Sequence, residues 1–161
     1  MAASTNKKVT VVRFDREPLP GFVQLGTYLG ETGVELLSPA GSVTSVPYAD
    51  VKCVAFVREW ESPQILLEKK SFASRPKQEG LWVRLEFRDA DWSEALLANK
   101  LLEVEPQGFT VVPPDSGANA HRLFVPKAAL REIRVLGVIG TAANKDRRLK
   151  KTPDEQLKMF E

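Results

Sequence analysis

One cysteine and one histidine in 161 residues remove much of the chemistry that small proteins carry. Cys53 cannot form an intramolecular disulfide, and neither it nor His121 has the companions that a multi-ligand metal site needs. Nucleophilic catalysis requires a Ser or Cys beside a base, and these two residues are far apart in the chain. Cys53 lies in an apolar, strand-like run and is expected to be a small buried hydrophobe, while His121 is expected in a polar surface loop. Phosphate-cradling loops are missing too. GSVTS (41–45) and GVIGTAAN (137–144) lack the lysine and the glycine spacing that such loops use. No stretch approaches the ~18 apolar residues of a membrane span, and MAASTNKK at the start has no apolar signal segment. The expectation is a cytoplasmic, non-enzymatic protein with no catalytic residue, cofactor, metal or membrane contact.

An excess of charge is missing as well. The net charge is +2, and all of it lies after residue 140: six Lys or Arg there face four Asp or Glu. The first 140 residues are neutral, so the body of the protein has no basic field of the kind that draws nucleic acid.

What is present is a repeat. VPYADVKCVAFV (46–57) and FVPKAALREIRVL (124–136) share Val-Pro, a short Ala-containing turn and a run of β-formers. Upstream, GVELLSP (33–39) matches GFTVVPP (108–114), and VVRFD (11–15) matches RLEFRD (84–89) with Phe14 over Phe87. Three blocks in one order indicate a tandem duplication of a unit of about 55 residues. Length drifts mainly where DSGANAHR (115–122) replaces a shorter loop, as loops permit.

Each unit reads as β. VTVVRF and WVRLEF are rich in β-branched and aromatic residues. FVQLGTYLG and EALLANKLLEV follow as second strands, then GVELLS and GFTVVP, then SVTSVP and RLFVP. Pro47 and Pro126 end the fourth strands because proline cannot donate to a ladder. YADVK and KAALRE suit one helical or 3₁₀ turn, and CVAFVRE and IRVLGVI make the fifth strands. Asp89 and Asp91 flank a polar turn; Glu103 and Glu105 alternate along an expected strand face.

Five short strands with a helical turn before the last resemble the SH3-like small barrel, and the element order is similar to the Sm-like barrel. The resemblance covers residues 8–58 and 81–140 and implies an all-β protein of two tandem five-stranded barrels packed together. The Sm-type RNA-binding loops are not matched at 39–42 or 115–119, so the resemblance carries fold and not function. The PilZ type of cyclic-dinucleotide receptor is not matched either, since Arg147-Arg148 and Asp115-Ser116-Gly117 have the wrong placement and spacing. The whole chain also resembles bacterial proteins described only as a domain of unknown function.

Residues 59–80 are expected to link the two units, with Ile65, Leu66, Leu67 and Phe72 packing across them. Residues 141–161 form a charged C-terminal tail with a short helix expected over 142–151, broken before Pro153. The expected role is to bind a protein partner through barrel surfaces or tail. An alternative is nucleic-acid association through Lys145, Arg147, Arg148, Lys150 and Lys151, with Trp60, Trp82 and Trp92 available for base stacking. A second alternative rests on Gln156-Leu157-Lys158-Met159-Phe160. It resembles the bacterial sliding-clamp-binding pentapeptide at Gln156, Leu157 and Phe160, with Met159 in place of Leu and Lys158 departing from the usual Ser or Asp.

Overall fold

The computed structural model describes residues 6–60, 70–114 and 119–140. Ten strands run in chain order: β1 Asn6–Arg13, β2 Leu19–Gln24, β3 Gly33–Leu37, β4 Val43–Pro47, β5 Val51–Val57, β6 Gly80–Phe87, β7 Trp92–Leu97, β8 Gly108–Val112, β9 Ala120–Pro126 and β10 Leu130–Ile139. They form one antiparallel, open sheet in the order β10-β6-β7-β8-β9-β5-β1-β2-β3-β4. The protein is all-β. Its described helical elements are three 3₁₀ turns, at Tyr48–Asp50, Leu101–Glu103 and Lys127–Ala129.

The duplication is visible in the pairing register. Val9 faces Phe56 and Val11 faces Val54, as Val83 faces Val135 and Leu85 faces Ile133. A bulge falls at one equivalent place in each ladder, skipping Lys52 in β5 and Arg131 in β10. Gly33 faces Pro47 as Gly108 faces Pro126. The first sequence block shifts by one residue, however. The Phe14 amide donates to Asp50 and the Arg88 amide to Ala129, so Arg88, not Phe87, is the structural equivalent of Phe14. Turn length hides such a slip from a motif match, whereas a ladder fixes it.

Two of the shared glycines are needed for close approach. A Cβ on Gly33 or Gly108 would collide with the Val46 or Val125 carbonyl of the paired strand. Pro47 and Pro126 close their strands and lead directly into 3₁₀ turns, as the sequence indicates. The second strand of the second unit is shorter than expected. β7 stops at Leu97, and Glu103 sits in the 3₁₀ turn with Glu105 in the following loop, not on a strand face.

The units meet where β5 pairs β9, with Val54 opposite Phe124, Ala55 opposite Leu123 and Phe56 opposite Arg122. That junction explains why VKCVAFV has no alternation: all seven residues of β5 are buried. Cys53, Ala55 and Val57 turn into the core of the second unit, while Val54 and Phe56 turn into the core of the first. β9 reciprocates. Leu123 and Val125 stay in their own core and Phe124 crosses into the other, where Tyr28 packs edge-on against both Phe124 and Phe56. Phe72 packs edge-on against Trp82 of the second unit; Ile65, Leu66 and Leu67 lie outside the described residues.

Candidate interaction surface

A lysine near the start of an otherwise apolar, buried strand must find partners or unfold its surroundings. Lys52, skipped by the bulge in β5, extends toward the turn between β6 and β7, and its side chain is only 9% exposed. Its Nζ lies 2.9 Å from Oδ2 of Asp89 and 2.9 Å from Oδ2 of Asp91. Lys70 approaches Oδ1 of Asp91 at 2.5 Å, and the Trp92 amide donates to that same oxygen. Phe87 and Phe14 pack beneath the Lys52 ammonium, 4.9 and 5.9 Å from it to their ring centres. The expected solvated turn at Asp89 and Asp91 is therefore an ionic clasp between the two units.

The clasp is electrostatically self-contained. Burial disfavours the Lys52 cation, but hydrogen bonds to Asp89 and Asp91 outweigh it and raise its pKa. Burial likewise opposes ionisation of Asp91, yet hydrogen bonds from Lys70, Lys52 and the Trp92 amide bring it down to about 2. These groups hold one another charged at neutral pH, which suits a structural fastening better than proton transfer. The signal for it was legible in sequence as one cation inside VKCVAFV, but its partners lie in the other unit.

Cys53 is buried as expected, and burial pushes its thiol up to about 12 against a small opposing effect of Lys52. His121 differs from expectation. It is the second residue of β9 instead of sitting in a loop, and burial, then Arg58 and Arg122, lower its pKa. No group of three or more His, Cys, Asp or Glu that could hold a metal occurs among the described residues.

The three tryptophans are engaged within the fold. Trp60 packs edge-on against Phe22 and donates to the Val9 carbonyl at 2.9 Å. Trp82 donates to Glu94 at 2.7 Å, and Trp92 carries the Arg84 guanidinium 4.2 Å from its ring centre. A recess of about 310 Å³ beside β7 and β8 is lined in part by Leu96, Glu103, Glu105, Thr110, Val111 and Arg122. Leu101 and Leu102 stand exposed on the adjoining 3₁₀ turn.

The two ends of the sheet carry most of the other exposed apolar side chains, Leu25 after β2 being the exception. β4 pairs only β3, and β10 pairs only β6, among the described residues. Val43 on β4 is 72% exposed and Val135 on β10 is 56% exposed, with Leu136 and Val138 also open to solvent. An unpaired edge with apolar side chains offers backbone donors and acceptors together with area to bury.

Gln156, Leu157, Met159 and Phe160, and the basic residues Lys145, Arg147, Arg148, Lys150 and Lys151, lie outside the described residues, as does the helix expected over 142–151. Among the described residues no helix is long and apolar enough to cross a membrane. No curated protein matches the chain. No solved structure matches it. The repeat, the shared register and the junction between the units all fall within residues 5–137, which match one family model, and the chain belongs to that family of unknown function, DUF6982.

Proposed function

We propose that the chain is a non-enzymatic module that binds a protein partner by strand addition along an open edge of its sheet. The observation that carries this is the pair of edges, β4 and β10, unpaired among the described residues and each with an exposed valine. An added strand satisfies the edge amides and carbonyls, and alternate side chains of the guest bury the exposed ones. The ionic clasp supports the same reading, since Lys52, Asp89, Asp91 and Lys70 are committed to one another. In finer detail, each five-strand unit is proposed as a small barrel of the SH3-like or Sm-like kind. In support, each unit has its own buried cluster, and the fully buried residues that cross from one to the other lie on the two seam strands, β5 and β9.

The tail provides the competing readings. They rest on sequence, and the engagement of Trp60, Trp82 and Trp92 within the fold adds nothing to base stacking. The test is a pull-down from the native host with three baits: the full chain, a Val43→Lys/Val135→Lys double variant, and a chain stopped after Lys151. A partner lost with the double variant and kept on truncation supports edge recognition. Loss on truncation alone moves the function to the terminal peptide. Retention of nucleic acid with a steep salt dependence, abolished by neutralising the five basic residues, moves it to the basic cluster.

A further inference from the structure

The seam inside the chain is a template for a contact outside it. Within one molecule the last strand of the first unit, β5, pairs the fourth strand of the second, β9. The last strand of the second unit, β10, and the fourth strand of the first, β4, are the same two edges, left unpaired among the described residues. The ladders fix which residues correspond. Val54 and Ile133 occupy one position, facing Val11 and Leu85; Phe56 and Val135 occupy another, facing Val9 and Val83. On the other edge, Phe124 corresponds to Ser45, facing Thr110 and Glu35. Arg122 therefore corresponds to Val43.

We propose that β10 of one chain pairs with β4 of a second copy, antiparallel and in the register of the internal seam, a proposal that rests on the strand-addition reading above and names its partner. Ile133 then faces Ser45, Arg134 faces Thr44, and Val135 faces Val43. The last pair joins two of the most exposed aliphatic side chains described, and each covers the other.

The contact is weaker than its template, and the residues say why. Cys53 and Ala55 of the seam become Glu132 and Arg134, and Leu123 becomes Thr44, so one face of the new junction stays polar. Phe124, which fills the core across the seam, becomes Ser45, which cannot. The result is a reversible, concentration-dependent contact instead of a second fused core. Because β10 and β4 are different surfaces, the contact is head-to-tail, and an open assembly of any length keeps one free β4 at one end and one free β10 at the other until a ring closes. The Arg75 guanidinium reaches the Val138 carbonyl at 3.2 Å, beyond the three paired positions, and leaves them open.

The experiment uses the full chain in sedimentation and light scattering from about 1 to about 500 μM, a range that reveals weak mass-action assembly. Mass is expected to rise above 17.9 kDa with concentration, and Val43→Lys or Val135→Lys, both at exposed sites, to weaken assembly at least about tenfold. With Cys53 buried, a Val43→Cys/Val135→Cys double variant is expected to oxidise into a ladder of linked chains, while mixed single variants give a linked pair only. A constant mass of one chain over the whole range overturns the proposal. So does linkage of Val135→Cys to itself as readily as to Val43→Cys, which assigns a symmetric contact. Assembly seen only after truncation at Gly140 also overturns it and makes the tail the occupant of β10. A peptide of residues 119–127, the β9 sequence, separates the two levels by amide exchange. If it protects 132–136 in a chain that stays monomeric, strand addition stands and self-pairing falls; with no protection and no assembly, both fall.

Discussion

At the residue scale, the side chains that matter most are the titratable ones that the seam and the clasp take out of solvent. Cys53 is the only thiol in the chain and is shielded on both sides of β5. With its pKa pushed to about 12, it is expected to stay unreactive toward an alkylating reagent at pH 8 and to react fully once the chain is unfolded. Fast labelling of the native protein would contradict the burial. Asp91 gives a second expectation. Removing it by Asp91→Ala leaves a buried Lys52 with one carboxylate instead of two, and the expected destabilisation in denaturant titration is about 3 kcal/mol. Its pH dependence has a definite sign. The Asp91 carboxyl is depressed in the folded state, so its contribution is complete above the unfolded value of about 4 and is lost as pH falls toward about 2. The difference in stability between the parent and Asp91→Asn should therefore shrink between about pH 4 and pH 2, and a difference that grew there would contradict the assignment.

At the element scale, equivalent strands of the two units have opposite fates. β5 is buried on both faces and β10 is open along most of one, although both close their ladders in one register. The difference is written in composition: VKCVAFV has one charge, while LREIRVLGVI has three. Strand identity, the terminal prolines, the 3₁₀ turns and the duplication were thus legible from period, breakers and repetition. What could not be read was which strand of one unit lies beside which of the other, because no local pattern encodes a pairing between distant segments. For the same reason Asp89 and Asp91 looked like solvated turn residues: their partner, Lys52, lies in the other unit. Gly108 tests the ladder itself. A methyl at that position meets the Val125 carbonyl, and Gly108→Ala is expected to cost about 2 kcal/mol, measured by thermal or chemical denaturation. A neutral outcome would mean that β8 and β9 are less closely paired than described.

At the scale of the whole molecule, the seam makes the two units thermodynamically one. Each core contains residues from the other half, and the clasp ties the β6–β7 turn to β5. Calorimetry is expected to show a single unfolding transition whose calorimetric and van't Hoff enthalpies agree. Two resolved transitions would show that the halves fold independently. Phe124→Ala is the sharpest probe, with an expected loss of about 3–5 kcal/mol. The spectroscopic change should be felt at Tyr28 in the other unit as well as at β9.

Phe124 also has a consequence for how such a chain could have arisen and how it can be taken apart. Its ring belongs by sequence to one copy and by location to the other, so the first copy, expressed alone, would lack a wall that no residue of its own can supply. A half-length protein would have to obtain that wall from a neighbour, and fusing two such halves would make a borrowed side chain a permanent one. Dividing the present protein between β5 and β6 and mixing the pieces should restore the whole, whereas neither piece alone should hold its shape.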